Sequence, residues 1–524
     1  MLGAWSCIAG AQSTFEKFYT TGVSFNFNCL ELPSKNLLVG LGCAHGVSRM
    51  DPEGNIIQTR CYIPNPMARI TSLRRLSDNK LFFATSYRMD SCSASGSFTV
   101  PFTHPAIGLM DTLGNVLTYK HYVLGQGCRN ATGDLVVTAD KGAITWGSDT
   151  SFFVLRVDSG LTPVWARRFG DHGGFQFVKE LPGGDLLAGI NMDTAGVVVA
   201  RLDADGNFLW CKSYIRPGGM VHDAVIESDD SFIITGVTET PTTLIFNPLP
   251  SAYHPKLFMM KLDGTGDVQW CRGYENAPYR WYAPQPSRIK RTLDGNYVLL
   301  ATIGTHSNGQ NYNHFSRLFL MKTDLNGDTL WTRSVGATGF DHYAMDLLPH
   351  SDGGYVLSGY AWGNFPGASS SGAFLFKADS TGSFSCMQQT HAIQVLDLFP
   401  ADSSFTLTSV DSVIEQPAFM ADTIFPFTTY DACIVTTAPE QMQARKFKVY
   451  PNPNTGRFTV EFTDPLIKES YYSVYDAMGR LLYQRPLSTG RETEDVDLSR
   501  FGRGTYMIRF TSPDGVQHER VVLE

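Results

Sequence analysis

The chain has 524 residues, of which 43% are hydrophobic, 12% aromatic and 18% charged. This length exceeds what one ordinary core supports and indicates roughly two to four domains. The 49 glycines and the many aromatic residues favour an all-β protein, because tight turns need glycine and pleated faces accept aromatic side chains. A formal charge of -8 gives no electrostatic footprint for a phosphate backbone. Nucleic acid is therefore excluded as an expected partner.

The first residues differ in character from the rest of the chain. Residues 1–11 are apolar and rich in small side chains, and Ala9, Gly10 and Ala11 form an A-x-A cleavage pattern. We interpret them as the remnant of a signal peptide whose true start lies upstream of Met1; the alternative is an apolar first strand. No later stretch reaches the roughly 18 to 20 uncharged apolar residues of a membrane-spanning helix. No transmembrane anchor is expected.

Motifs for catalysis and cofactor binding are missing from the sequence. The ten cysteines form no C-x-x-C pair and no zinc-ligand spacing. The chain contains no G-x-S-x-G nucleophile motif, no Walker loop, no H-E-x-x-H pair and no dinucleotide-binding fingerprint. We therefore predict no cofactor, no metal and no catalytic residue, and an enzyme is the less favoured interpretation.

One phrase recurs along the chain: an apolar run, a basic residue, Asp, two or three residues, Gly, and often Trp four positions later. A second phrase, such as Asp-Gly-Gly-Tyr, precedes it by about half a period and predicts a hairpin turn. One unit therefore holds four antiparallel strands in roughly 45 to 60 residues, the size of a propeller blade. The clear copies end at Gly206, Gly266 and Gly327, and the weaker ones surround Asp51 and Gly54, Asp111 and Gly114, Asp158 and Gly160, and Asp379 and Gly382.

The number of blades depends on the two ends of the repeat region. Phe15–Tyr19 has the spacing of a fourth strand without its preceding three. Residues 396–406 and 432–435 resemble three strands without a fourth. Pairing the two fragments would close the ring and remove exposed edges. We predict an eight-bladed β-propeller over residues 12–436, with seven blades as the alternative.

The repeated Asp, Gly and Trp residues have a structural interpretation and a functional one. Alternating oxygens at Asp203 and Asp205 suggest calcium, but no distal bidentate carboxylate follows. We therefore expect Asp to cap its own turn and Gly to adopt the left-handed conformation. The tryptophans are expected to pack between blades rather than to form a sugar platform.

After a short polar linker, residues 437–444, the sequence pattern changes. Residues 445–524 alternate apolar and polar positions between Pro-Asn-Pro, Gly and Asp-Gly turns, which predicts a small immunoglobulin-like β-sandwich of about seven strands. Its landmarks are YPNPNTGRFTV from Tyr450, YDAMGRLL from Tyr475 and GRGTYMIRF from Gly502.

These three landmarks resemble, in order and spacing, the type A C-terminal sorting domain of the type IX (Por) secretion system of Bacteroidetes. The resemblance implies recognition of the folded tail by the outer-membrane translocon and its sorting machinery, removal of the tail, and release or attachment to surface lipopolysaccharide. Members commonly end in a basic residue, whereas Glu524 closes this chain. The alternative is an immunoglobulin-like module without a transport role. The sorting features fall on Pro451, Asn452, Pro453, Gly456, Asp476, Gly479, Gly504 and Tyr506.

The implied destination is the outer cell surface or the medium, reached through the periplasm. There we expect the propeller to act as a binding or adhesion module for a glycan or a protein; the alternative is a secreted hydrolase or lyase acting on polysaccharide or peptide. Variation between copies concentrates in the connections between second and third strands, and loops at one end of a rigid ring are where recognition is usually built; the alternative is that these segments are merely tolerated insertions. These segments are residues 87–104, 239–254, 305–317 and 361–371.

The best candidates for chemistry are Asp and His residues that open the innermost strand of several blades. Such positions could surround a central channel and form a metal or acid–base cluster. The competing interpretation is that they cap turns at a wet rim. The candidates are Asp171, His172, His222, Asp223, Asp341 and His342.

Overall fold

The computed structural model divides the chain into two compact units, Met1–Ala438 and Pro439–Glu524. All elements among the described residues are β-strands. The structure describes residues 13–524 outside the segments 20–27, 41–45, 64–66, 94–98, 125–129, 150–151, 170–172, 193–195, 215–218, 239–255, 276–279, 282–285, 305–315, 338, 364–370, 405–408, 412–413, 418–420, 425–428, 432–446, 463–469, 477–480, 491 and 513–514. The expected signal remnant and linker lie outside the described residues.

The first unit contains seven antiparallel sheets that follow one another along the chain. The chain opens with β1 (Phe15–Tyr19). Sheet 1 contains β2 (Cys29–Glu31), β3 (Leu37–Val39), β4 (Gly46–Met50) and β5 (Ile56–Ile63). Sheet 2 contains β6 (Met67–Arg75), β7 (Lys80–Ser93), β8 (Thr99–Asp111) and β9 (Val116–Val123). Sheet 3 contains β10 (Asn130–Val137), β11 (Ala143–Asp149), β12 (Phe152–Val157) and β13 (Pro163–Phe169).

The remaining sheets repeat this pattern. Sheet 4 contains β14 (Gly173–Glu180), β15 (Leu186–Met192), β16 (Gly196–Leu202) and β17 (Phe208–Tyr214). Sheet 5 contains β18 (Met220–Ile226), β19 (Phe232–Val237), β20 (Leu257–Leu262) and β21 (Val268–Glu275). Sheet 6 contains β22 (Arg280–Trp281), β23 (Arg288–Arg291), β24 (Tyr297–Gly304), β25 (Ser316–Thr323) and β26 (Thr329–Val335). Sheet 7 contains β27 (Phe340–Pro349), β28 (Tyr355–Gly363) and β29 (Ser371–Ala378).

The first strands of successive sheets, with β23 in this role in sheet 6, contact one another in a cycle. From sheet 1 onward, β2 contacts β6, and the contacts continue through β10, β14, β18 and β23 to β27. Strand β27 in turn contacts β2. Large aromatic and aliphatic side chains fill the spaces between sheets, such as the cluster that joins Phe152 and Phe169 of sheet 3 to Phe175 of sheet 4. The sheets are therefore joined through their first strands and through apolar layers.

The predicted eighth blade is wrong for the described residues, which form seven sheets in this unit. Strand β1 pairs with β29, with Phe18 opposite Phe374, so it is the fourth strand of sheet 7. Within 396–406 the chain pairs instead with β21 and β17, and 432–435 lies outside the described residues. The seventh Asp-Gly phrase, at Asp379, has no fourth strand of its own because the chain leaves the sheet there. The sequence count took β1 as a further unit.

After sheet 7 the chain adds one short outer strand to every sheet. These strands pair in reverse order with β26, β21, β17, β13, β9, β5 and finally β1. We call residues 388–431 the belt. Since an unpaired outer strand is a template for aggregation, the belt protects each sheet at the residues that it pairs. Its strands are β30 (Gln388–Gln389), β31 (Gln394–Asp397), β32 (Ser403–Ser404), β33 (Ser409–Asp411), β34 (Ile414–Pro417), β35 (Ala421–Ile424) and β36 (Thr429–Asp431).

Backbone, apolar and ionic contacts hold the belt on sheet 5. The N–H of Leu398 donates to the carbonyl of Cys271 at 2.9 Å. The Leu398 side chain lies over Gly273, where a Cβ would come within 2.9 Å of it. Asp397 forms an ion pair with Arg272. The absence of a side chain at Gly273 therefore leaves the room in which the belt packs.

The repeated Asp and Gly residues form the turns after the third strands, as expected. Asp263 accepts the N–H groups of Thr265 at 3.0 Å and Asp267 at 2.9 Å, and the other six copies use the same pattern. In sheet 3 the left-handed residue is Leu161, with φ 64°, instead of the neighbouring glycine. The prediction of an Asp cap is confirmed. The left-handed glycines are Gly54, Gly114, Gly206, Gly266, Gly327 and Gly382.

The fourth strand of the preceding sheet contacts each of these turns. In sheet 5, Tyr274 donates its hydroxyl to the carbonyl of Gly327 at 2.7 Å. A Cβ on Gly327 would meet Arg272 at 2.9 Å and Trp270 at 3.1 Å. The predicted packing of tryptophans between repeats is confirmed here. We call this contact of an aromatic, a basic and a tyrosine residue with the next turn the inter-sheet latch. The tyrosine bond recurs at Tyr19, Tyr62, Tyr122 and Tyr214.

The second unit is a separate sandwich with its own core. Sheets β37-β38-β41 and β40-β39-β42-β43 enclose apolar residues from both, including Phe458, Val474 and Ile508. The predicted seven strands are confirmed. They are β37 (Phe447–Tyr450), β38 (Arg457–Phe462), β39 (Ser470–Asp476), β40 (Leu481–Leu487), β41 (Thr493–Asp497), β42 (Gly504–Ser512) and β43 (Gly515–Leu523).

Two glycines of sheet 6 allow the free-energy cost of a left-handed backbone to be measured apart from the cost of disturbing the latch. Gly295 and Gly327 have φ values of 82° and 81°, but a Cβ on Gly295 meets nothing within 4 Å. We expect Gly295→Ala to cost about 1 kcal/mol of unfolding free energy for the left-handed backbone alone. Gly327→Ala should cost clearly more, since Trp270 and Arg272 must also move. Denaturant titration of both variants measures this; equal losses would contradict the latch.

The belt contact on sheet 5 can be broken at one hydrogen bond. Leu398→Pro removes the N–H that donates to Cys271. We expect faster hydrogen exchange in β21 while β19 and β20 stay protected, because the belt covers only the outer strand. Ala401→Pro, in the exposed segment between β31 and β32, is the control. Unchanged exchange in β21 of the Leu398→Pro variant would show that the belt does not protect this edge.

Candidate functional site

The first strand of every sheet ends at a hairpin turn, and the residues four and two positions before that turn form the candidate site. The first residue of each turn donates its backbone N–H to the carbonyl of the residue four positions later. Thr138 and Glu227 are two such first residues. We call this set the inner ring. Its members four positions before the turn are Asn28, Ser72, Asp134, Phe177, Asp223, Arg288 and Asp346. Its members two positions before the turn are Leu30, Arg74, Val136, Lys179, Val225, Lys290 and Leu348.

A bulge precedes the inner ring in five first strands. The register shifts just before Ser72, Asp134, Phe177, Asp223 and Asp346. An extra residue in one strand redirects the side chains that follow it. The polar members reach a neighbouring sheet, whereas Phe177 stays in the apolar core of sheet 4.

Asp223 is the most enclosed charge of the inner ring, with 5% of its side chain exposed. Its two oxygens accept from Lys179 Nζ at 3.0 Å and Lys290 Nζ at 2.9 Å, which come from the sheets on either side. It also accepts the N–H of Ala224 at 2.9 Å. Burial alone would raise the pKa of Asp223, but the two lysines and Arg288 outweigh burial and hold it far below its usual range. The carboxylate is thus ionised and ties three sheets together.

Asp134 makes a second bridge of the same kind. One guanidinium nitrogen of Arg74 lies 2.7 and 2.8 Å from its two oxygens, and Ser72 donates to it at 2.5 Å. Burial alone would raise the pKa of Asp134; Arg74 and Ser72 lower it overall. Arg74 also bonds to Asn28, which carries the network on to sheet 1.

These carboxylates are unsuited to acid–base chemistry. A general acid needs a raised pKa, whereas cations depress the pKa values of Asp134 and Asp223. Among the described residues, no group of three His, Cys, Asp or Glu side chains could hold a metal ion. The arrangement can link first strands, and its chemistry is that of a structural ion network.

The structure places the predicted Asp and His candidates in separate environments and not in one cluster. Asp223 belongs to the inner ring. His222 accepts from the N–H of Ser287 at 3.1 Å and shares a 2.9 Å hydrogen bond with the Ser287 hydroxyl; burial lowers its pKa to about 3. Asp341 accepts the N–H of Ser316 at 2.7 Å. Asp171 and His172 lie outside the described residues.

His342 lies in an aromatic cluster between sheets 6 and 7. Its ring centroid is 5.7 Å from that of Phe18 and 5.9 Å from that of Phe374. Burial lowers the pKa of His342 to about 4. This residue therefore has a packing role, and sequence reasoning missed Arg74, Asp134, Lys179, Arg288, Lys290 and Asp346. Their shared offset from the hairpin turn is the signal that could have found them.

The predicted recognition segments fall mostly outside the described residues. Residues 239–254 do so entirely, as do most of 305–317 and 361–371. The remaining segment, residues 87–104, is not the loop that the sequence predicts. Strands β7 and β8 continue through it with Tyr87 opposite His104 and Cys92 opposite Val100, so much of 87–104 is a long hairpin.

In the second unit, Asn452 of the first landmark bonds to the last strand, and Gly456 bonds to the segment that follows β41. Peptide bonds before Pro451 and Pro453 are cis. Asn452 accepts the N–H of Val522 at 2.9 Å and donates to the carbonyl of Arg520 at 2.6 Å. Gly456, with φ 103°, accepts the N–H of Leu498, and a Cβ there would lie 2.7 Å from the Ser499 backbone.

The other sorting residues meet at the same end of the sandwich. Asp476 ends β39 opposite Tyr506 of β42. Tyr506 donates its hydroxyl to the carbonyl of Gly502 at 2.5 Å, and Gly504 pairs with Leu523. Gly479 lies outside the described residues. We call this region, where 451–456, Asp476, 502–506 and the end of β43 meet, the motif end.

The fold thus defines an all-β chain in which seven sheets with cyclic contacts precede an independent sandwich. Residues 448–524 match the family described as the secretion system C-terminal sorting domain. The second unit is therefore a sorting domain of this family, which supports export through the type IX secretion system. No curated protein is similar enough to the chain to count as a match.

Several solved structures are similar to the chain at low sequence identity and low TM-score. A protein of unknown function from Bacteroides caccae is 9% identical, with 61% of this chain and 93% of that one covered at a TM-score of 0.35. A fungal alcohol oxidase of the AA5 family, in complex with copper, is 11% identical, with 98% and 100% covered at 0.39. The extracellular domain of a proposed hybrid two-component system from Bacteroides thetaiotaomicron is 8% identical, with 99% and 73% covered at 0.30. Scores this low carry no argument about fold or function.

A search of the described residues for a long apolar helix of the kind that crosses membranes finds none.

Two of the buried histidines, His222 and His342, predict a specific pH dependence. Their pKa values of about 3 and about 4 lie below the usual 6.5. At pH values between these lowered pKa values and the usual one, the unfolded chain binds more protons than the folded chain. The free energy of unfolding therefore falls as the pH falls. Each should cost about 2 kcal/mol at pH 5 relative to pH 7. Asp223 stays ionised in both states over this window and adds nothing. Melting curves of His342→Phe should show a smaller loss from pH 7 to 5 than the parent; an equal loss would contradict it.

Proposed function

We propose that the first unit is a closed seven-bladed β-propeller carried out of the cell by the sorting domain, where it acts as a binding or adhesion module for a glycan or a protein. The observation that carries the export proposal is the match of residues 448–524 to the sorting family, on a sandwich with its own core. A transport address that folds independently needs nothing from its cargo.

Closure of the propeller is supported by contacts at both ends of the repeat region. Strand β27 contacts β2, which joins the last sheet to the first. Strand β1 completes sheet 7 and is itself covered by β36 of the belt. The chain ends of the unit therefore meet in one sheet, as expected for a ring that must resist opening.

A binding role is favoured over a hydrolase or lyase because of the inner ring. A glycosidase needs two carboxyl groups, one of them with a raised pKa. Asp134 and Asp223 are held by Arg74, Lys179 and Lys290 instead. We place the ligand at the connections between second and third strands, where length and composition vary between repeats.

The finer features of the export route belong to the same proposal. We infer a signal peptide that takes the chain to the periplasm, a type A tail of the Bacteroidetes kind, and release or attachment at the outer surface. The linker after residue 436 separates cargo from address and is the place where processing would leave the propeller intact.

Export can be tested by removing and by transplanting the tail. A chain that ends at residue 444 should stay in the periplasm of a host with the type IX machinery, while its propeller melts as in the parent. Residues 437–524 behind a signal peptide and a fluorescent protein should carry that protein to the surface or medium. Normal export of the tailless chain, or retention of the fusion, would contradict the proposal. A binding array of glycans and proteins tests the role of residues 12–436.

A further inference from the structure

The outward face of the four-stranded sheet in the sorting domain carries a row of adjacent apolar side chains. Tyr475 pairs with Leu481 on one side, next to a bulge in β40, and in regular register with Met507 on the other. Residues directly opposite on antiparallel strands have Cβ atoms about 4.5 to 5.5 Å apart. Leu481 and Met507 are 48% and 41% exposed. Three neighbouring strands thus present a continuous apolar surface to solvent.

This surface is not part of the sandwich core. Val474 and Ile508, the residues next to Tyr475 and Met507 along their strands, point to the other side of the sheet and are fully buried. Because side chains alternate along a strand, the core is complete without the outward residues. Burial within this unit therefore does not account for Leu481 or Met507.

The row continues to a cation and adjoins the motif end. Met507 pairs with the exposed Arg520, whose carbonyl accepts from Asn452 of the first landmark. Tyr475 directly precedes Asp476, and Met507 directly follows Tyr506. We call Leu481, Tyr475, Met507 and Arg520 the exposed row.

The opposite face of the sandwich has a different character. The outward residues of β37, β38 and β41 include the exposed Lys448, Glu461 and Asp495, and Tyr450 is the single large apolar side chain exposed among the described residues of these strands. Arg457 and Asp497 form an ion pair at 3.0 Å on that face. A charged, internally paired surface suits solvent, whereas contiguous apolar side chains with a polar rim are typical of an interaction site.

We propose that the exposed row is the surface by which the sorting domain docks on the type IX export machinery. The partner surface is apolar where it meets Leu481, Tyr475 and Met507, and it places a carboxylate opposite Arg520. The inference rests on the proposed export function and adds the face and the chemistry of recognition. Continuity of the row with the motif end connects it to the residues that define the family.

The test uses the full-length chain behind a signal peptide in a host with the type IX machinery. Leu481→Glu, Met507→Glu and the double variant each place a carboxylate in the row. Thr493→Glu and Lys448→Gln, alone and combined, make the same change in charge on the opposite face. We expect the double row variant to lower the exported fraction by about tenfold or more, with export of the opposite-face variants unchanged. Melting of each full-length variant is measured alongside.

Arg520 provides a second measurement in case an apolar-to-Glu change unfolds the tail. Arg520→Glu should lose export because like charges would face each other, whereas Arg520→Lys should keep most of it. Equal export of these two variants, or normal export of folded row variants, would overturn the docking face. Export of the tailless chain would overturn the export function itself. Retention of the tailless chain together with normal export of the row variants would reject only the face.

Discussion

The arrangement of the first unit depends on the inter-sheet latch, the contact of one fourth strand with the next sheet's Asp turn. A buried carbonyl without a partner costs about 1 to 3 kcal/mol, and the tyrosine hydroxyl satisfies it at Gly54, Gly114, Gly266 and Gly327. The glycine offers both the left-handed backbone and the space in which Trp or Phe packs. One turn thus closes its own sheet and fixes the position of its neighbour.

The belt uses the same fourth strands as the latch, from their outer side. Lys212 lies 2.6 Å from Asp267 of the next turn and 3.3 Å from Asp402 of the belt, and Arg272 contacts both Asn326 and Asp397. One basic side chain therefore serves two contacts. Loss of the belt would remove a counter-charge from residues that position the next sheet, so edge protection and sheet spacing are physically coupled.

The local structure of the turns was predictable from the sequence, whereas the pairing partners of the short strands were not. The Asp cap at Asp263 and the left-handed Gly327 follow from short-range turn chemistry, and the packing of Trp270 was predicted from its place in the repeated phrase, so the repeat was predictable. The belt strands have only two to four residues and pair with sheets far away in the chain, where no local pattern names the partner. The same limit explains the miscounted blade, since nothing in Phe15–Tyr19 itself indicates β29. The bulge before Asp134 likewise needed the register of two strands.

Exposed aliphatic residues have different meanings in the two units. In the first unit, Val164 and Leu209 are 55% and 54% exposed, but each stands on the fourth strand of its own sheet, beside a tryptophan that packs on the next turn. The register shifts at both positions, so neither has a residue opposite it on the third strand, and single exposed aliphatic residues need no partner. In the sorting domain, Leu481 and Met507 flank the same Tyr475 on adjacent strands, so their apolar surfaces merge. Adjacency rather than exposure therefore distinguishes the sorting domain's row as a surface for recognition.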